Sequence, residues 1–355
     1  MMANHRNQYL AWLLLCLGIF APFLVAADGD RTRTLHVYTW LDYFDSDVIN
    51  EFQKLHNCRV VIDIFDSNEM MLLALKYDSS GYDVMTPSSY MCAILWEQAW
   101  LMELDHSKLP NLHNLVHTSG REYDPGMKYS VPYTLTVTGV GYNRKEVPQE
   151  FVGSWNIFSA HALAGRMTML TDFRECLGAA LLMLGYSPNT TEETEIIEAG
   201  KVVRQWRQNL AGFNTDGGKL GLAAGDYAVT HGYNGDMLQA MAENPDVSFF
   251  VPEEGSTMTW DEMVIPVDTR EPDLAHAFIN HMMDPEMARR NMEGTQYYMP
   301  NGPALEKVGP RLRDNPAFSV DAEVLSRCEP LRVVGEHKEK YIRVWRDIVM
   351  DGESP

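Results

Sequence analysis

Three short β-prone runs near the start of the chain are each followed by a polar cap or turn, and the first two lead into helix-spaced segments. This alternation restricts the fold more than any other feature of the sequence. Residues 35–40 (LHVYTW) are rich in β-branched and aromatic side chains. Asp45 or Ser46 can then cap a helix with Val48, Phe52 and Leu55 along one face. Residues 59–65 (RVVIDIF) give a second strand pattern, after which Ser67 can cap a helix containing Met70, Leu73 and Ala74. A third strand, residues 82–85, stops at Pro87. Strands that alternate with helices through short connections imply a parallel α/β sheet covered on both faces. Ligands of such sheets bind beyond the carboxyl ends of the strands. That rule points to residues 40–43 (WLDY), 66–69 (DSNE) and 87–90 (PSSY).

The pattern continues through the chain. Residues 128–134 and 137–143 read as two extended segments. Residues 166–170 read as a strand, with a helix starting near Phe173. A long helix over 192–209 has Ile196, Val203 and Trp206 on one side. Strands are expected at 227–230, 247–251 and 263–267, and helices at 272–283, 285–292 and 341–350. A length of 355 residues allows two domains or one large one, and 45% hydrophobic residues suffice for a substantial core.

The charge is one-sided: 49 acids against 29 Lys and Arg, a net of −20. A phosphate backbone needs clustered cations, so no nucleic-acid partner is expected. Cationic partners suit the chain better, although most of the acids serve solubility. Residues 1–27 have a basic start, an apolar run from Tyr9 and a small-residue exit, Val25-Ala26-Ala27. They read as a secretory signal cut after Ala27, which implies a periplasmic, exported protein. Cys16, preceded by Leu13-Leu14-Leu15, is a candidate for lipidation and hence for a membrane anchor. Cys58, Cys92, Cys176 and Cys328 form no CxxC and no zinc spacing with His; buried thiols are expected, since a core of this size needs no disulfide.

Acids and aromatics recur together at the strand ends. Asp42 stands with Trp40 and Tyr43, Tyr90 follows Ser88, Asp236 follows Tyr233, Asp261 adjoins Trp260, and Tyr297 lies further on. Asp172 and Glu175 are three apart at a helix start, where both can face one space. Helix capping explains Asp172 alone, and packing explains any single aromatic. The repeated pairing is better explained by a cation that needs both.

The segments HVYTWLDYF, VVIDIFDSNEMMLLAL, GYDVMTPSSYM, ELDHSKLPNLHNL, YSVPYTLTVTGVGYN, LTDFRE, LGYSPNTT, YNGDMLQA, VPEEGSTMTWDEMVIP and YYMPNGPA carry a resemblance over essentially the whole chain after the signal. The chain resembles the polyamine (spermidine/putrescine) substrate-binding proteins of bacterial ABC importers. The resemblance implies a two-lobed α/β periplasmic-binding fold of type II, with a ligand cleft between lobes joined by crossing hinge strands. Residues 28–138 plus 261–305 would form one lobe, and 139–260 plus 306–355 the other.

The same resemblance implies polyamine-binding roles for Trp40, Asp42, Tyr43, Ser88, Tyr90, Asp172, Glu175, Tyr233, Asp236, Trp260, Asp261 and Tyr297. Some positions depart from the family pattern. Leu41 replaces a small hydroxyl residue, and Tyr233 replaces a Trp that packs on the methylene chain. Thr259 fills an aromatic position, with Trp260 next to it. Leu331 replaces a Gln typical of spermidine binders, which, with Asp236, leans towards tolerance of the shorter diamine.

The implied function is capture of putrescine or spermidine and delivery to permease subunits in the inner membrane, by a monomer that uses no cofactor or metal. A receptor that reports polyamine to a membrane sensor would need the same site. An enzyme with paired carboxylates, such as a glycosidase, is disfavoured: the chain has no GxSxG, HExxH or Gly-rich phosphate loop.

Overall fold

The computed structural model describes residues 33–77, 81–116 and 121–350. The export segment, Cys16 and the cut after Ala27 lie outside the described residues. The main elements are β1 (Arg33–Thr39), α1 (Ser46–His56), β2 (Cys58–Ile64), α2 (Asn68–Tyr77), β3 (Val84–Met85), α3 (Ser89–Glu97), β4 (Val131–Asn143), β5 (Met167–Met169), α4 (Phe173–Met183), α5 (Glu193–Arg207), β6 (Leu210–Phe213), α6 (Thr215–Ala224), β7 (Val229–Tyr233), α7 (Asn234–Glu243), β8 (Val247–Phe250), β9 (Ser256–Met263), α8 (Pro272–Met282), α9 (Pro285–Thr295), β10 (Cys328–Pro330) and α10 (Lys338–Met350).

The first sheet has the order β2-β1-β3, with β1 and β3 parallel and Val37 opposite Val84. Alternate residues of β1 point to opposite faces. Leu35 and Val37 enter a core with Phe52, Phe278 and Met292, whereas Tyr38 joins Met71, Met91 and Leu95 on the other side. The sheet is therefore covered on both faces, as the alternation of elements requires. Asp45 caps α1 by accepting from the amides of Asp47 and Val48, at 3.0 and 3.1 Å. The inward residues of α1 are Val48, Ile49 and Phe52; Leu55, expected on that face, is exposed. In α2, Ser67 accepts from the amide of Met70, but Met71 and Leu72 are buried and Met70 and Leu73 are exposed. A run as uniformly apolar as MMLLAL does not indicate which row of the helix faces in.

The second sheet corrects the expectation of parallel strands. Its order is β10-β9-β4-β7-β5-β6, with β8 also paired to β4. Strand β4 is antiparallel to β7, β8 and β9, while β5 is parallel to β6 and β7. The two extended segments expected at 128–134 and 137–143 are one strand, because no turn residue separates them. The strand expected at 263–267 ends at Met263, and Val264 and Pro266 make only isolated bridges, to Met85 and Leu101.

Two of the cores share a strand: the one around Phe52 and Phe278, and a second one that holds Trp155, Phe158, Trp206 and Tyr341 with Leu177 of α4 and Val203 of α5. Strand β4 runs from one core to the other: Val131 and Tyr133 lie in the first and Val140 in the second. Strand β9 lies beside it in the opposite direction, with Val131 opposite Met263 and Val137 opposite Met258. Cys92, Cys176 and Cys328 are buried free thiols, and Cys58 is buried as well, as the sequence suggested. Among the described residues, no helix is long and apolar enough to cross a membrane.

Candidate ligand-binding site

The strand ends of both sheets open on one cavity between the two cores. Its lining includes Trp40, Leu41, Tyr43, Ser88 and Tyr90 from the first sheet's loops. Asp172, Glu175, Tyr233 and Asp236 come from the second, and Thr136, Thr259, Asp261 and Tyr297 complete the wall.

Asp261 sits on β9 at the crossing. Its Oδ1 accepts from Ser88 Oγ at 2.7 Å, and its Oδ2 accepts from Tyr43 OH. Ser88 is itself fixed by Asn68, which accepts from its amide at 3.1 Å and donates to its hydroxyl at 3.0 Å. Burial pushes the Asp261 carboxyl up to about 7, against the lowering effect of the Tyr43 and Ser88 hydrogen bonds.

Asp172 is the N-cap of α4 and accepts from the amides of Arg174 and Glu175 at 2.8 and 3.3 Å. Both bonds go to Oδ1, so Oδ2 remains for the cavity. Glu175, one turn on, accepts from Thr257 Oγ1. Burial is the main reason that both carboxyls are raised; Glu69 adds to the effect on Asp172, and Asp172 to the effect on Glu175. Capping and cavity lining are thus compatible in Asp172. The guanidinium of Arg174 donates elsewhere, to the carbonyls of Arg332 and Pro188 and to Asn189 Oδ1. A cation placed between these acids and Asp261 would let them ionise and would form charge-assisted hydrogen bonds with them.

The aromatics are held in place by their polar ends. Trp40 Nε1 donates to Thr86 O at 2.9 Å, and its ring lies 4.4 Å from that of Phe65. Tyr297 OH donates to Asp236 Oδ1 at 2.9 Å, and its ring meets Tyr43 edge-on at 4.8 Å. Such rings can cover methylene groups and offer negative faces to ammonium groups.

Two expected site residues are placed differently. Asp42 does not line the cavity: its backbone is left-handed, at φ 54°, so Leu41 and Tyr43 face in while its carboxylate pairs with Lys219 Nζ at 3.0 Å. Trp260 also turns away. Neighbours on a strand point to opposite faces, so with Thr259 and Asp261 in the cavity, Trp260 faces a separate hollow with Leu135, Tyr298 and Phe318. It therefore does not stand in for the aromatic that Thr259 displaces. Leu331 lies on the wall. The sequence reading missed Phe65, Thr136, Thr215 and Asp216 as lining residues, whereas the strand-end segment 66–69 supplies Asp66 and Asn68. Thr215 and Asp216 follow β6, a strand it did not find; the helix start Asn214-Thr215-Asp216 was the available signal.

Two α/β lobes, two strands crossing between them and an acid-lined cleft at the crossing define a two-lobed binding protein of the periplasmic type. The chain belongs to the bacterial extracellular solute-binding proteins, whose family pattern matches residues 47–320. It is 32% identical over 339 residues to the putrescine/cadaverine-binding protein of Pseudomonas aeruginosa, covering 91% of this chain and 95% of that one. It is 30% identical to spermidine/putrescine-binding periplasmic protein 1 of Haemophilus influenzae, over 91% and 90% of the two chains. Among solved structures, the spermidine/putrescine ABC transporter substrate-binding protein PotD of Streptococcus pneumoniae superposes with a TM-score of 0.75 at 30% identity, over 90% of this chain and 99% of that one.

Proposed function

We propose that the protein captures putrescine or spermidine in the cleft and delivers it to an ABC importer. The observation that carries this reading is the trio of buried carboxylates, Asp172, Glu175 and Asp261, each at most 5% exposed and facing one tyrosine-walled cavity. Burying even one ionised carboxylate is unfavourable without a cation, and a polyamine supplies cations at fixed intervals along an apolar chain. The relatives named for spermidine and putrescine support the same ligand. Anionic solutes would meet like charge. The bound amine leaves unchanged, so no turnover is expected, and no relative named above is described as an enzyme. The signalling alternative draws no support from those relatives.

The finer reading is that the lobes, residues 28–138 plus 261–305 and 139–260 plus 306–355, close around the amine. A monomer then presents the closed form to permease subunits, from the periplasm or from a lipid anchor at Cys16. Contacts from both lobes favour closure. Calorimetry tests the central claim: putrescine or spermidine binds to the wild type and binding is lost in Asp261→Asn. Absence of heat with every polyamine would refute it.

A further inference from the structure

Lys219, on α6, is 5% exposed and pairs with Asp236, which lines the cavity. Its Nζ lies 3.0 Å from Asp42 Oδ2, 3.2 Å from Asp236 Oδ1 and 2.7 Å from Gln239 Oε1. An ammonium carries three protons, and each has an acceptor here. Burial would lower the lysine pKa, but Asp236 and Asp42 outweigh it and hold the group charged. Asp236 also accepts from Tyr297, another lining residue.

Asp236, itself half-buried, therefore differs from the buried acids of the cavity. Asp172, Glu175 and Asp261 are bonded to neutral amides and hydroxyls. Asp236 already holds an ammonium, delivered on the aliphatic stem of a lysine. Asp66 and Asp216 also line the cavity, but they are exposed and half-buried, where hydration weakens charge recognition.

We propose that Lys219 is a tethered ammonium that occupies the Asp236 carboxylate of the cavity wall and so limits how many cationic groups of a ligand that wall can hold. This rests on the polyamine reading. A diamine reads Asp261 and the Asp172–Glu175 pair. The third ammonium of a longer triamine, directed to Asp236, meets the charge of the lysine in place of a free carboxylate.

Two measurements test it. In Lys219→Met, which keeps the stem and removes the charge, calorimetry is expected to show the spermidine-to-putrescine affinity ratio rising by about tenfold or more, the worth of one hydrogen bond to a charged group. An unchanged ratio, or an equal loss for both amines, overturns the proposal. In Lys219→Ala, n-butylamine is expected to refill the slot and raise the melting temperature more than in wild type, and Asp236→Asn added to that variant is expected to abolish the gain. Equal shifts in all three proteins overturn the proposal. The butylamine arm decides the role of the lysine even if no protein binds a polyamine, a result that would refute the ligand assignment separately.

Discussion

Asp261 shows how one side chain can connect ligand affinity with pH. Its carboxyl is raised to about 7 by burial, while an unfolded Asp titrates near 4. Between those values the folded protein keeps a proton that the unfolded chain releases. The stability contributed by this residue is therefore complete below about pH 4 and is lost as the pH rises towards about 7. We expect the melting temperature of ligand-free wild type to fall more steeply than that of Asp261→Asn between about pH 5 and pH 8, measured by scanning calorimetry. Parallel curves would contradict the assignment. Asp261 was legible in the sequence because an acid beside aromatics recurs in the expected strand-end pattern. Trp260 was misread because composition does not phase a strand: the strand was expected several residues later than β9, so neither its face nor that of Asp261 could be assigned. Lys219 carried no signal at all, since a lysine in a helix is usually solvated.

At the scale of elements, the close fit of α7 against the Tyr297 ring shapes the cavity. A Cβ on Gly235 would lie 2.4 Å from Tyr297 Cδ1, so only glycine lets the ring reach Asp236 and Tyr43. Gly235→Ala is expected to push the ring aside and to weaken putrescine binding by roughly tenfold, the worth of about one well-made polar contact. Unchanged affinity in calorimetry would show that the ring position is immaterial. The elements missed from sequence share a cause. Helix α6 contains three glycines, Gly217, Gly218 and Gly221, and reads as a poor helix. Yet the Tyr227 ring lies where a Cβ on Gly221 would be, 2.4 Å away, so tertiary contact rather than propensity selects the residue. Strand β10 is three residues long and leaves almost no periodicity to detect. Helices α5, α8 and α9 were legible because the apolar face of α5 and the proline starts of α8 and α9 are local signals.

At the scale of the molecule, length alone suggested two domains, and the resemblance, not periodicity, indicated that each lobe is built from interleaved segments. The reason lies in β4, which serves both cores, and in β9, which pairs along it from Val131 to Val137, so no cut in the chain separates them. Ion pairs also join distant parts of the chain, Glu122 with Arg332 at 2.8 Å and Glu69 with Lys338 at 3.1 Å. The Glu122–Arg332 pair is half-exposed and the Glu69–Lys338 pair partly exposed, and each is worth about 1 kcal/mol or less. A chain ending at residue 250, which lacks β9 and all that follows, is expected to show no cooperative unfolding by circular dichroism; a sharp transition would mean that the first lobe is autonomous. Ser88 waits for Asp261, a partner 173 positions later in the chain. A ribosome must therefore synthesise most of the protein before the site at Asp261 can be completed, and contacts this distant in sequence form slowly.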